Sequence, residues 1–204
     1  MSEDIKPGYV RISDVASAYA GHGKIPKKIM DYAADRGTRV HELIYDKMNM
    51  IVINEEQYYF CGKNLAKRKE DEKESYFDSF LKFWEPYDSA PIIQQEQRLY
   101  DDHHMTTGQI DLVFMMDGKK TLIDWKTSRD VCEHWLLQAS GYSLLLWANG
   151  IVKDPVERYL FVKLDKDGKP PIVTEYVPDT FMFKQALELY NRFMKDQQCN
   201  FEDE

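Results

Sequence analysis

Asp111, Asp124 and Lys126 are the residues of this sequence whose types and spacing suggest chemistry. They lie in the stretch 105–128, where two strand-like runs meet at Asp117-Gly118, a strong hairpin signal. With those two as turn residues, Met116 pairs with Lys119, and the register carries Asp111 to the position opposite Asp124. Cross-strand partners of this kind have Cβ atoms about 4.5–5.5 Å apart and share a face. Lys126, two residues beyond Asp124, shares that face as well. Facing carboxylates repel, and a divalent cation reverses the penalty because hard cations take carboxylate oxygens as ligands. The pattern therefore reads as a metal site in strand register with an ammonium beside it. Simple alternation offers another reading, a solvated face with Lys126 as the salt-bridge partner, since Ile123 and Trp125 occupy the opposite face. Gly108 favours the first reading, because glycine weakens a strand unless something must approach the backbone closely. Thr127-Ser128 then ends the strand with hydroxyls beside the lysine.

The elements that must hold these residues are legible in part. Residues 9–12 begin the ordered chain, and Ser13-Asp14 is a plausible cap for a short helix over 15–19. His22, between glycines, reads as a loop residue. A long helix is expected over 26–50, its apolar positions Ile29, Tyr32, Ala33, Val40, Leu43, Ile44 and Met48 keeping helical spacing across a break near Gly37. His41 lies in that helix, where a lone histidine is more often a packed residue than a ligand. Glu42 projects about 100° away from it and cannot face the same site.

Residues 51–69 read as irregular, with Tyr58, Tyr59 and Phe60 as a short strand or packed loop. Residues 70–85 read as a helix with an apolar stripe for the core, stopped by Pro86. Residues 92–100 are strand-like with Glu96 as the interior acid, and His103 and His104 read as a surface loop. A helix over 130–148 places Trp135, Gln138, Tyr142 and Leu145 on one face, where the Gln138 amide needs a partner. A second hairpin, 155–164 with 171–177, turns at Asp165–Gly168. That turn faintly echoes a calcium loop but lacks the downstream glutamate. A last helix covers 179–197. These elements predict an α/β (α+β) domain, a central mixed sheet flanked by helices, with residues 1–204 as one unit.

The composition is globular, with 43% hydrophobic and 13% aromatic residues among 204. No apolar run reaches the roughly 18 residues of a membrane helix, and the first residues show no export or transit pattern, so no membrane partner is expected. The cysteines Cys61, Cys132 and Cys199 are scattered and odd in number, which suits free thiols in a reducing compartment. The net charge of −8 counts against a nucleic-acid partner. Bound metal would neutralise part of it. Basic residues also cluster at Lys24, Lys27 and Lys28, and at Lys63, Lys67, Arg68 and Lys69, as phosphate contacts or as solvated surface.

Gly108-Gln-Ile-Asp111 followed by Asp124-Trp-Lys126 resembles the GxxD…(D/E)xK signature of the PD-(D/E)XK nucleases. It is most similar to the RecB-type and mitochondrial/phage exonuclease branch. Arg36-Gly-Thr-Arg-Val-His41-Glu looks like the upstream histidine motif of that branch, and Gln138-Ala-Ser-Gly-Tyr142 like its downstream QxxxY helix. The resemblance spans about residues 9–150, and Ile110 stands where many members of the superfamily have proline.

It implies a restriction-endonuclease-like core and Mg²⁺- or Mn²⁺-dependent hydrolysis of DNA, most simply by an exonuclease acting on single strands or duplex ends. Asp111, Asp124 and His41 would be metal ligands, and imidazole suits Mn²⁺ better than Mg²⁺. Glu96 would serve a second ion or support the first. Lys126 would orient the attacking water, and Thr127, Ser128, Gln138 and Tyr142 would contact the nucleic acid. Some relatives hold an iron–sulfur cluster with four cysteines, which these three cannot supply, so no such cluster is expected. A protein partner in recombination, repair or replication, and the cytoplasm of a bacterial or phage-infected cell, follow from the same resemblance. The rival expectation is a non-catalytic module that binds nucleic acid or protein on the same fold.

Overall fold

The structure, a computed structural model, describes residues 5–20, 26–49, 51–53, 56–61, 64–67, 75–152 and 156–194. His22, Lys24, Lys63, Arg68, Lys69 and Cys199 lie outside the described residues. The elements run β1 (Val10–Arg11), α1 (Ile12–Ala18), α2 (Lys27–Met48), β2 (Ile51–Ile53), β3 (Glu56–Cys61), β4 (Asn64–Lys67) and α3 (Ser75–Trp84). They continue with β5 (Ile92–Asp101), β6 (Thr106–Met116), β7 (Lys119–Lys126), α4 (Trp135–Ala148), β8 (Arg158–Lys163), β9 (Ile172–Tyr176) and α5 (Thr180–Phe193).

A six-stranded mixed sheet runs β1-β6-β7-β8-β9, with β5 on the remaining edge of β6. One apolar cluster covers the face under α1, α4 and α5, with Ile12, Leu145, Phe161 and Phe183 fully buried in it. The other covers the face under α2 and α3, around Ile44, Phe80, Trp84, Phe114 and Trp125. This is the helix–sheet–helix layering expected from the order of the elements. Among the described residues, no helix is long and apolar enough to cross a membrane.

The β6–β7 hairpin has the expected register, with Met116 opposite Lys119 and Leu112 opposite Ile123. The Asp117-Gly118 turn places both residues at positive φ, +52° and +76°, as a tight turn matched to strand twist demands. The β8–β9 hairpin also forms, and Asp165 Oδ1 accepts the backbone N–H groups of Asp167 and Lys169, so this acid closes a turn.

Several expectations are corrected. The first helix begins at Ile12, not residue 15. Helix α2 is continuous through Gly37, because its C-terminal half is anchored by buried Val40 and Ile44. Tertiary packing there outweighs the roughly 1 kcal/mol helix cost of one glycine. The first half of α2 does not pack as its periodicity suggested: Ile29 and Tyr32 are exposed. Within 51–69, read as irregular, the described residues form an antiparallel three-stranded sheet, β2-β3-β4, and Tyr58, Tyr59 and Phe60 form the strand that was one of the two expectations there. Helix α4 starts at Trp135, five residues later than expected. His104 is not a free surface residue: its Nδ1 lies 2.6 Å from Oδ2 of buried Asp101, whose Oδ1 accepts the N–H groups of His103 and His104.

Candidate metal centre

The site is built where β6 loses one of its neighbours. Strand β5 pairs along β6 from Thr106 to Phe114. The opposite edge is shared, because β1 pairs with Thr106 and Thr107, and β7 pairs only from Leu112 onward. Between those ladders, Gly108 to Asp111 face a gap in the sheet. The carboxylate of Asp111 bridges it, with Oδ2 accepting the N–H of Trp125 at 2.7 Å. A crevice at the carboxyl end of a parallel strand, where neighbours diverge, is where open α/β sheets commonly place their ligands, and β7 runs parallel to β8.

The strands are distorted at this point. Ile110 packs into one apolar cluster and Leu112 into the other, although alternation would put both on one face. The alternation slips at Asp111. Its cross-strand neighbour Glu96, between the pairs Gln95–Leu112 and Gln97–Ile110, has φ of +44°. A side-chain-bearing residue held in that region costs about 1–3 kcal/mol, a cost often found where a functional geometry must be held.

His41 completes the group from α2. Its Nε2 lies 3.1 Å from the carbonyl oxygen of Trp125. A carbonyl can only accept, so Nε2 carries the hydrogen. Nδ1 then faces Glu96 Oε1 and Asp111 Oδ1, at 3.5 Å from each. Ligand atoms of His41, Glu96 and Asp111 all lie within 4.8 Å of one another. An imidazole oriented by donating its other N–H to a backbone carbonyl is the usual arrangement for a metal-binding histidine. An imidazole with two carboxylates suits Mn²⁺ or another first-row ion, and the carboxylates alone suit Mg²⁺. Gln109 Nε2 donates to Glu96 Oε2 at 2.7 Å and sets that carboxylate's direction.

Asp124 differs from the expectation that it would share ions with Asp111. It stands outside the group of three, and its Oδ1 lies 2.7 Å from Lys126 Nζ. Lys126 also donates to Gln138 Oε1 at 2.9 Å, and Gln138 Nε2 donates to the Tyr142 hydroxyl at 2.8 Å. Its ammonium lies 5.2 Å from the ring centre of Phe161 and 5.8 Å from that of Trp135. Gln138 and Tyr142 are buried and bonded to each other, so they hold the lysine in place. Thr127 is buried, its carbonyl accepting from Arg36 at 2.9 Å. The Ser128 hydroxyl donates to the Asp130 carbonyl.

The close approach that Gly108 was expected to permit is made by α4. A Cβ there would meet Tyr142 at 2.9 Å and Leu145 at 3.0 Å. Sequence reasoning assigns no separate role to Gln109, Arg36 or Phe161. Gln109 stands inside the Gly108–Asp111 run and Arg36 at the head of the Arg36–His41 run, and Phe161 comes from a strand whose pairing partner only the sheet order reveals.

The electrostatics follow from burying like charges together. Burial pushes the Asp124 carboxyl up to about 6, with Asp111 adding to the rise and Lys126 opposing it. Burial also raises Glu96, against the pull of His41. For His41 burial works downward, but Asp111 and Glu96 outweigh it and hold the imidazole well above its usual range. Burial and the charge of Asp124 push the Tyr142 hydroxyl well above 10, so it stays neutral. Raised carboxyls of Glu96 and Asp124 beside a raised imidazole mark crowded negative charge, which a bound cation would relieve.

No family model matches the chain, and no curated protein matches it. A solved structure, "Crystal structure of SSO0001", is 14% identical, with 95% of this chain and 80% of that chain covered at a TM-score of 0.45.

Proposed function

We propose that this chain is a metal-dependent deoxyribonuclease of the PD-(D/E)XK type, most simply an exonuclease acting at DNA ends or in single strands. The observation that carries the reading is the convergence of His41, Glu96 and Asp111 from three separate elements beside a lysine clamped by Asp124 and Gln138. His41 Nδ1 and one oxygen each of Glu96 and Asp111 would hold Mg²⁺ or Mn²⁺, with Asp124 as the next carboxylate at hand. When bound, such an ion lowers the pKa of a coordinated water and neutralises charge on the phosphate oxygens.

The chain's own part is positioning and charge. Trp125 fixes both sides of the site, its N–H orienting Asp111 and its carbonyl orienting His41. Lys126 is held in place by the Asp124 carboxylate and the Gln138 carbonyl oxygen. It would align the attacking water and stabilise negative charge developing on the phosphate. Tyr142, kept neutral, donates or accepts a hydrogen bond without adding charge. The apolar walls of Trp135 and Phe161 keep bulk water from the stem of the lysine and strengthen its field.

The four sequence motifs in order support DNA as substrate. With them comes the proposal of a bacterial or phage setting and a partner in recombination, repair or replication. The test is incubation with end-labelled single-stranded and duplex DNA in Mg²⁺, in Mn²⁺ and in EDTA. Metal-dependent release of label that EDTA abolishes is the expected result. DNA that binds but stays intact under both metals would mean a binding module instead.

A further inference from the structure

The first half of α2 is helical and poorly buried, and its Arg36 reaches the residue that follows β7. Lys28, Tyr32 and Arg36 follow at intervals of four and form one stripe along it. Asp31 and Asp35 fall about 100° round the helix. Tyr32 is 63% exposed. The Arg36 guanidinium carbon lies 5.9 Å from the centre of the Tyr32 ring and 5.2 Å from that of Tyr76. One end of that guanidinium donates to the Thr127 carbonyl, the residue after Lys126, while the buried Nε has no hydrogen-bond partner among the described residues. An arginine tied to the Thr127 carbonyl at the end of β7 and braced by two rings gives a fixed, planar cation at that strand end.

From this geometry we infer that the Lys28–Tyr32–Arg36 stripe holds the single-stranded segment of the substrate, with Tyr32 stacking on a base and the cations contacting the flanking phosphates. This rests on the nuclease reading for the identity of the polyanion. In a duplex the faces of the bases are covered by their neighbours, whereas an unpaired base can be laid against an aromatic ring or a guanidinium plane. A rigid cation with an exposed ring beside it fits that ligand. A protein partner seated on an apolar helix face would not need the arginine fastened to the end of β7. The lysine and arginine also give this edge a positive charge that the chain as a whole, at −8, lacks.

The test measures binding without hydrolysis, by fluorescence anisotropy in Ca²⁺. The probes are an oligodeoxythymidine and a blunt hairpin duplex, with wild type, Tyr32→Ala and Tyr32→Phe. Tyr32→Ala should weaken oligodeoxythymidine binding about tenfold, the scale of losing one stacked base, and duplex binding far less. Tyr32→Phe should restore it. Tyr32 is exposed, so the melting temperature of Tyr32→Ala should stay at the wild-type value and exclude misfolding as the cause. Equal binding by Tyr32→Ala and wild type, equal weakening on both probes, or no binding of oligodeoxythymidine by wild type would each overturn the inference. Wild type that binds single strands through Tyr32 but cleaves nothing in Mn²⁺ would sink the nuclease reading and leave this one standing. Cleavage with binding indifferent to Tyr32 would do the reverse.

Discussion

Two hairpins of the sheet, β6–β7 and β8–β9, carry the same kinds of residue to opposite effect. Each turns at an Asp and a Gly, and each pairs a lysine with an aspartate at nearly the same distance, Lys126 with Asp124 at 2.7 Å and Lys166 with Asp167 at 2.8 Å. In the β8–β9 hairpin the pair sits at the turn, beyond the last rung Lys163–Ile172, and Lys166 and Asp167 lie in water. In the β6–β7 hairpin, closed at its own turn by Met116–Lys119, the pair sits at the far end, where the ladder stops at Leu112–Ile123 and the acids beyond it, Asp111 and Asp124, are only 7% and 3% exposed. An ion pair in water contributes little, while a buried one must be satisfied on every side. What separates a turn from a reactive centre here is the opening of the ladder over buried carboxylates.

Removing each lysine should break the comparison most sharply. Lys126→Ala should cut single-turnover DNA cleavage by about 10²–10³, the loss typical of one fixed charge-stabilising group. It should also lower the melting temperature, because the Asp124 carboxylate is left buried without its cation. Adding Asp124→Asn should recover much of that stability and none of the cleavage, as a double-mutant cycle would show. Lys166→Ala should leave both measurements unchanged.

The next effect concerns the metal. His41→Ala and Glu96→Gln should each weaken Mn²⁺ binding, read by calorimetry, by at least the ~10–100-fold that losing a ligand's supporting partner costs. Unchanged titrations would return both residues to a structural role. Gly108→Ala should destabilise by about 1–3 kcal/mol, since Tyr142 and Leu145 must shift. Chemical denaturation measures it, and a neutral result would mean that α4 yields easily.

The smallest effect is in pH. The folded pKa values of His41, Glu96 and Asp124 all lie above their unfolded values, which are about 6.5, 4.3 and 3.9. The metal-free fold therefore takes up protons more readily than the unfolded chain. These groups stabilise it fully below about pH 4 for the carboxyls and below about pH 6.5 for His41. The carboxyl contribution fades as pH rises through about 6, the folded value of Asp124. The His41 contribution fades at higher pH. Metal displaces the protons of His41 and Glu96, so the melting-temperature gain from Mn²⁺ should grow from pH 5.5 to 8. A gain independent of pH would detach the metal from His41 and Glu96.

Much of this was legible in the sequence because it rests on local rules. The Asp117-Gly118 turn fixes the β6–β7 register, and alternation then puts Lys126 beside Asp124. The spacing of Gln138 and Tyr142 follows from one helix, and Gly108 announced a close approach without saying by what. The partition of the carboxylates was not legible. Asp111 turns to His41 and Glu96, and Asp124 to Lys126, because β6 and β7 part at Leu112–Ile123 and alternation slips at Asp111. Both depend on β1 and β7 sharing one edge of β6, a long-range fact with no local signal. For the same reason Glu96 reads as an ordinary strand acid until its φ and its neighbour are known. The exposed half of α2 misled because its apolar spacing matches that of a core helix, while Ile29 and Tyr32 are in fact exposed.

The most direct test of the account is the anomalous scattering of Mn²⁺ in crystals of the protein. A peak is expected within coordination distance of His41 Nδ1 and of one carboxylate oxygen each from Glu96 and Asp111, lost in Asp111→Asn. A crystal at saturating Mn²⁺ with no peak there, or with the ion bound only by other residues, would contradict it.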